Sequence, residues 1–258
     1  MLIDNFAYNN RLKSVHPGEK LAFAFISGVL CFVPNIYVNM AVIFIVAAVL
    51  VFKAKIPVRV YLKILFPPIF FLLISIPAVV INVLPAGSDM LMDFAVFNMR
   101  IGVTYGGLKT AGLLFFRSIG LVSCVYFLAL TTPVPDLMMV LKRLKLPVIF
   151  LELMHLMYKY LFVLLETAGR IYVSQNSRLG YASLKSTFSS LSMLSSALFI
   201  RAYDDAEKFY TALAARCYDG ELNVPENDYR IRPKNILLIA AAEMALLLIA
   251  FLTGGLFK

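Results

Sequence analysis

The sequence predicts an all-α fold: a polytopic membrane helical bundle of about five spans, with a cytoplasmic region of amphipathic helices set before the last span. Three observations carry this. Of the 258 residues, 61% are hydrophobic and 15% charged, where an ordinary soluble domain has about a quarter charged. The apolar excess comes in blocks long enough to cross a bilayer and gives a mean hydropathy of +0.83. Most of the remaining charge falls in one stretch of the chain, residues 131–234.

Taken in order, the N-terminal flank is polar. Asp4, Asn5, Asn9, Asn10, Arg11 and Lys13 occupy the place of an apolar h-region, so no signal peptide is expected. Lys20 to Phe52 is too long for one span and is interrupted by Pro34-Asn35, which predicts a tight helical hairpin. A basic loop follows with Lys53, Lys55, Arg59 and Lys63. The third span, 64–83, carries Pro67, Pro68 and Pro77, which neighbouring helices in a bundle tolerate. A mixed segment with Asp89 and Asp93 leads to a fourth span over 106–130, and the last span, 235–257, follows the basic run "RIRPK".

Lys and Arg dominate the N-terminal flank, the 53–63 loop and the 131–234 region, while 84–104 is poor in them. The positive-inside rule therefore places the N-terminus and residues 131–234 in the cytoplasm of a multi-pass cell-membrane protein. The chain reads as one domain, with membrane helices in 1–130, cytoplasmic or interfacial helices in 131–234 and a last membrane helix in 235–258. A net charge of +9 next to apolar spans fits contact with lipid rather than nucleic acid. Cys31, Cys124 and Cys217 are odd in number and far apart, so neither a disulfide framework nor a zinc site is expected.

Within 131–234, prolines 133, 135 and 147 bound a short helix. A long helix over 148–175 then carries Glu152, His155, Lys159, Glu166 and Arg170 at steps of three, four, seven and four, hence on one side. Glu152 and His155 have half the spacing of a di-iron ligand set, but the only other histidine is His16 and no second pair exists, so a polar face is the better reading and no metal is assigned. Leu184, Phe188, Leu191, Leu194 and Leu198 form an apolar stripe opposite a serine-rich side. A further helix is expected over 202–217, stopped by Gly220.

Two arginines sit near helix ends among small residues: Arg178 in "NSRLG" and Arg216 in "AARCYDG". One reading is C-terminal capping, with a cation favoured by the helix dipole by about 0.3–1 kcal/mol. The other is a guanidinium fork projecting from each tip into an acidic groove of a soluble partner. Arg117 and Glu243 lie inside apolar spans, where a charge costs roughly 2.5–3.5 kcal/mol; both are read as structural groups that snorkel or pair within the bundle.

Four segments in order, "DNFAYNNRLKSVHPGEKL", "FFRSIGLVSCVYFLALTTPVPDLMMVLKRLKLP", "NSRLG" and "RAYDDAEKFYTALAARCYDG", resemble the transmembrane T component of energy-coupling-factor transporters, an ABC-class importer branch. The likeness is closer to the cobalt/nickel (CbiQ-type) members and covers nearly the whole chain. Its two Ala-Arg-Gly signatures map onto Ser177, Arg178, Leu179 and onto Ala215, Arg216, Cys217. Ser177 and Leu179 depart from the pattern, as does Cys217 where glycine is usual, so the arginines' role is carried over but not the backbone geometry at 179 or 217.

The resemblance implies crossing coupling helices that dock on two ABC-type ATPase subunits and move a separate metal-binding S component for cobalt or nickel uptake. It also implies no catalysis and no cofactor in this chain, with ATP and Mg on the partner subunits, and no Gly-x-x-x-x-Gly-Lys-Ser/Thr motif occurs. A T component shared by several vitamin-type S components is the alternative. A secondary transporter using Arg117 and Glu243 fits poorly for lack of repeats, as does a membrane enzyme using Glu152, His155 and Asp204/Asp205 for lack of a catalytic pair.

Overall fold

The computed structural model describes residues 2–84, 90–96, 99–144, 146–218, 229 and 233–252. Gly220, Asp89, most of "RIRPK" and the last residues of the final span lie outside the described residues. Contacts divide the chain into two compact units: residues 1–133 with 228–258, and residues 134–227.

Among the described residues, the first unit holds three of the four helices long and apolar enough to cross a membrane, and the fourth, Val148–Ser177, belongs to the second unit. The first unit contains α1 (Leu2–Tyr8), a 3-10 turn (Arg11–Ser14), α2 (Pro17–Leu30), α3 (Ile36–Ala48) extended by a π turn (Val49–Lys53), α4 (Val58–Val80), α5 (Tyr105–Thr131) and α9 (Pro233–Leu252). By length and composition, α3 with its π turn, α4 and α5 can each cross a bilayer. α2 is shorter, and α9 carries the apolar stretch Leu237–Phe251. α2 and α3 form a hairpin through Pro34-Asn35, where the Asn35 side chain accepts from the Tyr37 N–H at 3.0 Å and caps α3.

Between α4 and α5 the described residues form strands rather than helix. Strands β1 (Ile81–Leu84), β2 (Met90–Val96) and β3 (Met99–Thr104) pair antiparallel in the order β1-β3-β2. Ile81 faces Val103 and Phe94 faces Ile101, with a register shift between Met90 and Met92. The other elements described in this unit are helical.

The core lies where α2, α3, α5 and α9 meet, around Cys31, Val42, Leu50, Leu130 and Leu246, all fully or nearly fully buried. Phe44, Phe70, Phe71 and Phe251 are exposed on the outer surface, as expected of residues facing lipid. Helix ends inside the bundle are satisfied by side chains from elsewhere. Asn10 Nδ2 donates to the carbonyls of Leu130 and Thr131 at 3.3 Å each, and Lys20 Nζ donates to the Thr131 carbonyl at 2.9 Å. Both therefore sit at the C-terminus of α5, where free carbonyls and the helix dipole favour a cation.

The second unit holds α6 (Val134–Arg143), α7 (Val148–Ser177) and α8 (Leu184–Ala214). α8 is one continuous helix where the sequence suggested two: no glycine or proline separates Ile200 from Ala202, and the serine-rich half is capped at its start by a Ser183/Ser186 box. α7 and α8 run antiparallel. Gln175 lies against Ser190 at one end, Tyr160 packs edge-on to Phe209 at 5.9 Å further along, and Tyr218 reaches Glu152 at the other end.

Candidate coupling tips

α7 and α8 end in the same way. After α7, the Gly180 N–H donates to the Gln175 carbonyl at 2.9 Å and the Leu179 N–H to the Asn176 carbonyl at 3.0 Å. After α8, the Tyr218 N–H donates to the Leu213 carbonyl and the Cys217 N–H to the Ala214 carbonyl, both at 3.1 Å. Each is the double bond pattern of a Schellman cap, which needs one residue in the left-handed region. Those residues are Leu179, φ 59°, and Cys217, φ 55°. Both positions thus keep the conformation that glycine favours although neither is glycine, and each bears a local cost of about 1–2 kcal/mol.

Each arginine directly precedes the left-handed residue, so Arg178 and Arg216 occupy equivalent places. Both are exposed, and neither side chain hydrogen-bonds or pairs among the described residues. Ser177 Oγ donates back to the Val173 carbonyl at 3.0 Å, and Ala215 is exposed. α8, 31 residues long, separates the two tips by about 46 Å at roughly 1.5 Å per residue, so the arginines stand at opposite ends of the α7–α8 pair.

The Arg178 tip is braced by a small network that the sequence did not single out. Ser190 Oγ donates to the Gly180 carbonyl at 2.8 Å. Gln175 Nε2 donates to the Ser190 carbonyl at 3.0 Å, while Tyr181 Oη donates to Gln175 Oε1 at 2.8 Å. A Cβ on Gly180 would stand 2.7 Å from Ser190 Oγ and 2.9 Å from the Gln175 carbonyl oxygen, so only glycine fits without a shift. At the other tip, Tyr218 Oη donates to Glu152 Oε2 at 2.9 Å.

The polar side of α7 is accounted for along its length. Glu152 holds Tyr218, His155 is half-buried, and Lys159 lies 5.9 Å over the Phe209 ring. Glu166 and Arg170 form the exposed i,i+4 pair at 2.5 Å, worth about 0.3–0.5 kcal/mol. Among the described residues no three of His, Cys, Asp and Glu come together as a metal site. The stripe read on α8 is split: Leu184, Phe188 and Leu191 are exposed, whereas Leu194 and Leu198 are half-buried.

In the bundle, Arg117 Nε donates to the Cys31 carbonyl at 3.2 Å, a second guanidinium nitrogen donates to the Phe32 carbonyl, and the charge lies 5.5 Å over the Phe32 ring. It closes the C-terminal end of α2. Glu243, 6% exposed, accepts through Oε1 from Ser27 Oγ at 2.7 Å.

A membrane bundle joined to a helical unit with two arginine-tipped, Schellman-capped ends is the setting in which the comparisons with known proteins are informative. The family model described as cobalt transport protein, CbiQ, matches residues 9–226. The chain belongs to the CbiQ cobalt transport protein family. The match spans the bundle helices from α2 to α5 and both arginine tips, so this is a membrane transport component. An uncharacterized protein of Methanocaldococcus jannaschii is 35% identical over 253 residues, covering 98% of this chain and 93% of the relative. A putative fused cobalt transport protein, CbiMQ, of Methanocorpusculum labreanum is 33% identical over 246 residues, 92% of this chain and 40% of the relative. The energy-coupling factor transporter transmembrane protein EcfT of Ruminiclostridium cellulolyticum is 28% identical over 229 residues, 82% of this chain and 81% of the relative.

Proposed function

We propose that this CbiQ-family chain is the coupling subunit of an ATP-driven energy-coupling-factor importer, transmitting the motion of two ABC-type ATPase subunits to a membrane S component that binds cobalt or nickel. The observation that carries the reading is the pair of equivalent tips. Two exposed guanidinium groups, each one residue before a left-handed cap and about 46 Å apart, suit two separate acidic grooves, one on each ATPase subunit. A planar fork bonds a carboxylate bidentately, and burial at the centre of such an interface makes each arginine worth about 2 kcal/mol or more.

ATP and Mg then belong to the ATPase subunits, and this chain contributes no catalytic group and holds no cofactor of its own. Closure of the ATPase pair pulls on Arg178 and Arg216, and α7 and α8 carry that displacement as rigid helices. The N-terminus and residues 131–234 face the cytoplasm in this reading, which agrees with their excess of Lys and Arg. The putative fused cobalt transport relative, of which this chain matches 40%, supports a second cobalt-transport component working at this chain's side.

The test is purification in mild detergent together with uptake of radiolabelled cobalt by cells carrying Arg178→Glu plus Arg216→Glu. Co-purification of ATPase subunits with the wild type, their loss from the double variant and loss of uptake are expected. Intact uptake in the double variant would refute the coupling role. Uptake of a vitamin instead of the metal would favour a module shared among several S components.

A further inference from the structure

A cleft of about 600 Å³ opens in the membrane bundle where α2 and α9 begin and where α3 and α5 end. Its walls are apolar, formed by Ile45, Val49, Phe127, Ile239 and Ala242. Its rim is cationic. Arg11, from the 3-10 turn, and Lys53, from the end of the π turn, both line it. The Arg11 N–H donates to the Ala54 carbonyl at 3.4 Å, which sets the two basic residues side by side. Both side chains are exposed, and neither forms an ion pair or side-chain hydrogen bond among the described residues. Lys20 also lines the cleft, but it is 3% exposed and its ammonium is engaged by the Thr131 carbonyl at 2.9 Å, which leaves Arg11 and Lys53 as the cations at the rim.

Four helix ends meeting at one level put this cleft at the boundary between hydrocarbon and water. A ligand that fills it must carry a negative group for Arg11 and Lys53 and an apolar body for the walls, and it must reach the site from the bilayer. We infer that the cleft is a binding site for one anionic phospholipid, with the phosphate between Arg11 and Lys53 and an acyl chain between α3 and α9. Basic pockets between membrane helices bind anionic headgroups in this way, at roughly a fivefold gain in affinity for each cation. A soluble phosphate ester shares the anionic chemistry but leaves the apolar walls wet. The inference rests on the bundle being in a membrane and not on the coupling role.

The full-length chain is purified in detergent and titrated with phosphatidylglycerol or phosphatidylcholine, bound lipid being counted by native mass spectrometry. Phosphatidylglycerol is expected to bind about 25-fold tighter than phosphatidylcholine, two cations at fivefold each. Arg11→Ala plus Lys53→Ala brings phosphatidylglycerol down to the phosphatidylcholine level. Arg59→Ala plus Lys63→Ala removes the same charge from exposed positions outside the cleft and leaves the preference within about threefold. Ala242→Phe, which fills the apolar wall without changing charge, weakens both lipids.

The inference is overturned by equal binding of the two lipids to the wild type, by a preference that survives removal of Arg11 and Lys53, or by an equal loss in the Arg59/Lys63 control. Displacement of the lipid by soluble glycerol phosphate would show a free-phosphate site instead. A photoreactive group at Leu238 in the assembled transporter labels lipid if the inference holds; an adduct with a polypeptide would assign the cleft to a partner subunit.

Discussion

Replacing Leu179 and Cys217 by glycine should make the chain more stable, against the usual direction of a glycine substitution. Both residues sit in the left-handed region, at φ 59° and 55°, where a side chain with a Cβ costs about 1–2 kcal/mol. Glycine removes that cost but widens the unfolded ensemble, which takes back about 0.4–1 kcal/mol. Leu179 is 75% exposed and Cys217 is also exposed, so little burial is lost. The net gain is about 0.5–1 kcal/mol per site. With α8 between them the two sites are far enough apart to add, giving about 1–2 kcal/mol for the pair. In a chain of this length that raises Tm by roughly 2–8 °C. The chain has no tryptophan, so unfolding in detergent is followed by far-UV circular dichroism. Leu179→Ala is the control, because alanine keeps the Cβ and should gain nothing, while Leu179→Val, β-branched, should lose stability. If glycine stabilises no more than alanine at either site, the left-handed caps, and the equivalence of the two tips built on them, are wrong.

Gly180→Ala should destabilise the Arg178 tip by about 1–3 kcal/mol, since its Cβ meets Ser190 Oγ and the Gln175 carbonyl; faster hydrogen exchange at Leu179 and Gly180 checks it. Gly120→Ala should cost a similar 1–3 kcal/mol in the bundle, because a Cβ there stands 2.8 Å from Cys31 Sγ where α2 and α5 pack together; a lower Tm in detergent is the readout. Tyr218→Phe should lower stability by only about 0.5–1.5 kcal/mol, the net worth of its bond to Glu152, and should show as increased exchange at the end of α8.

The bundle was legible because its determinants are local. Apolar runs set the spans, and Pro34-Asn35 set the α2–α3 turn through a proline that stops one helix and an asparagine that caps the next. The end of α7 was legible near Arg178 because Gly180 marks it. The unbroken course of α8 across Arg201 was not, since a change from serine-rich to charged composition resembles a boundary while nothing in the backbone chemistry requires one. The β1–β3–β2 sheet was also missed. Its pairings join residues as far apart as Ile81 and Val103, and strands of only four to seven residues are too short to show a clear alternation. Asn10 and Lys20 meeting the end of α5, more than a hundred residues away, depend wholly on packing.

The two readings of Arg178 and Arg216, capping or docking, differ in what the helix-end carbonyls require. Where a helix ends inside the bundle, the structure brings a cation or amide from another segment: Asn10 and Lys20 to α5, and Arg117 to the carbonyls after α2. Capping by side chain is therefore a device this protein uses, and it leaves hydrogen bonds that can be measured. At the ends of α7 and α8 the backbone closes itself, through the N–H groups of residues 179 and 180 and of 217 and 218. The closure is kept even though it holds a leucine and a cysteine in a conformation costing each about 1–2 kcal/mol. With those carbonyls satisfied, the arginines have no hydrogen-bonding task at their own helix ends, and what the dipole adds at an exposed site is about 0.3–1 kcal/mol. Two long, charged side chains left unengaged at rigid helix ends are the arrangement a docking role needs, and that argues for a partner surface over a cap.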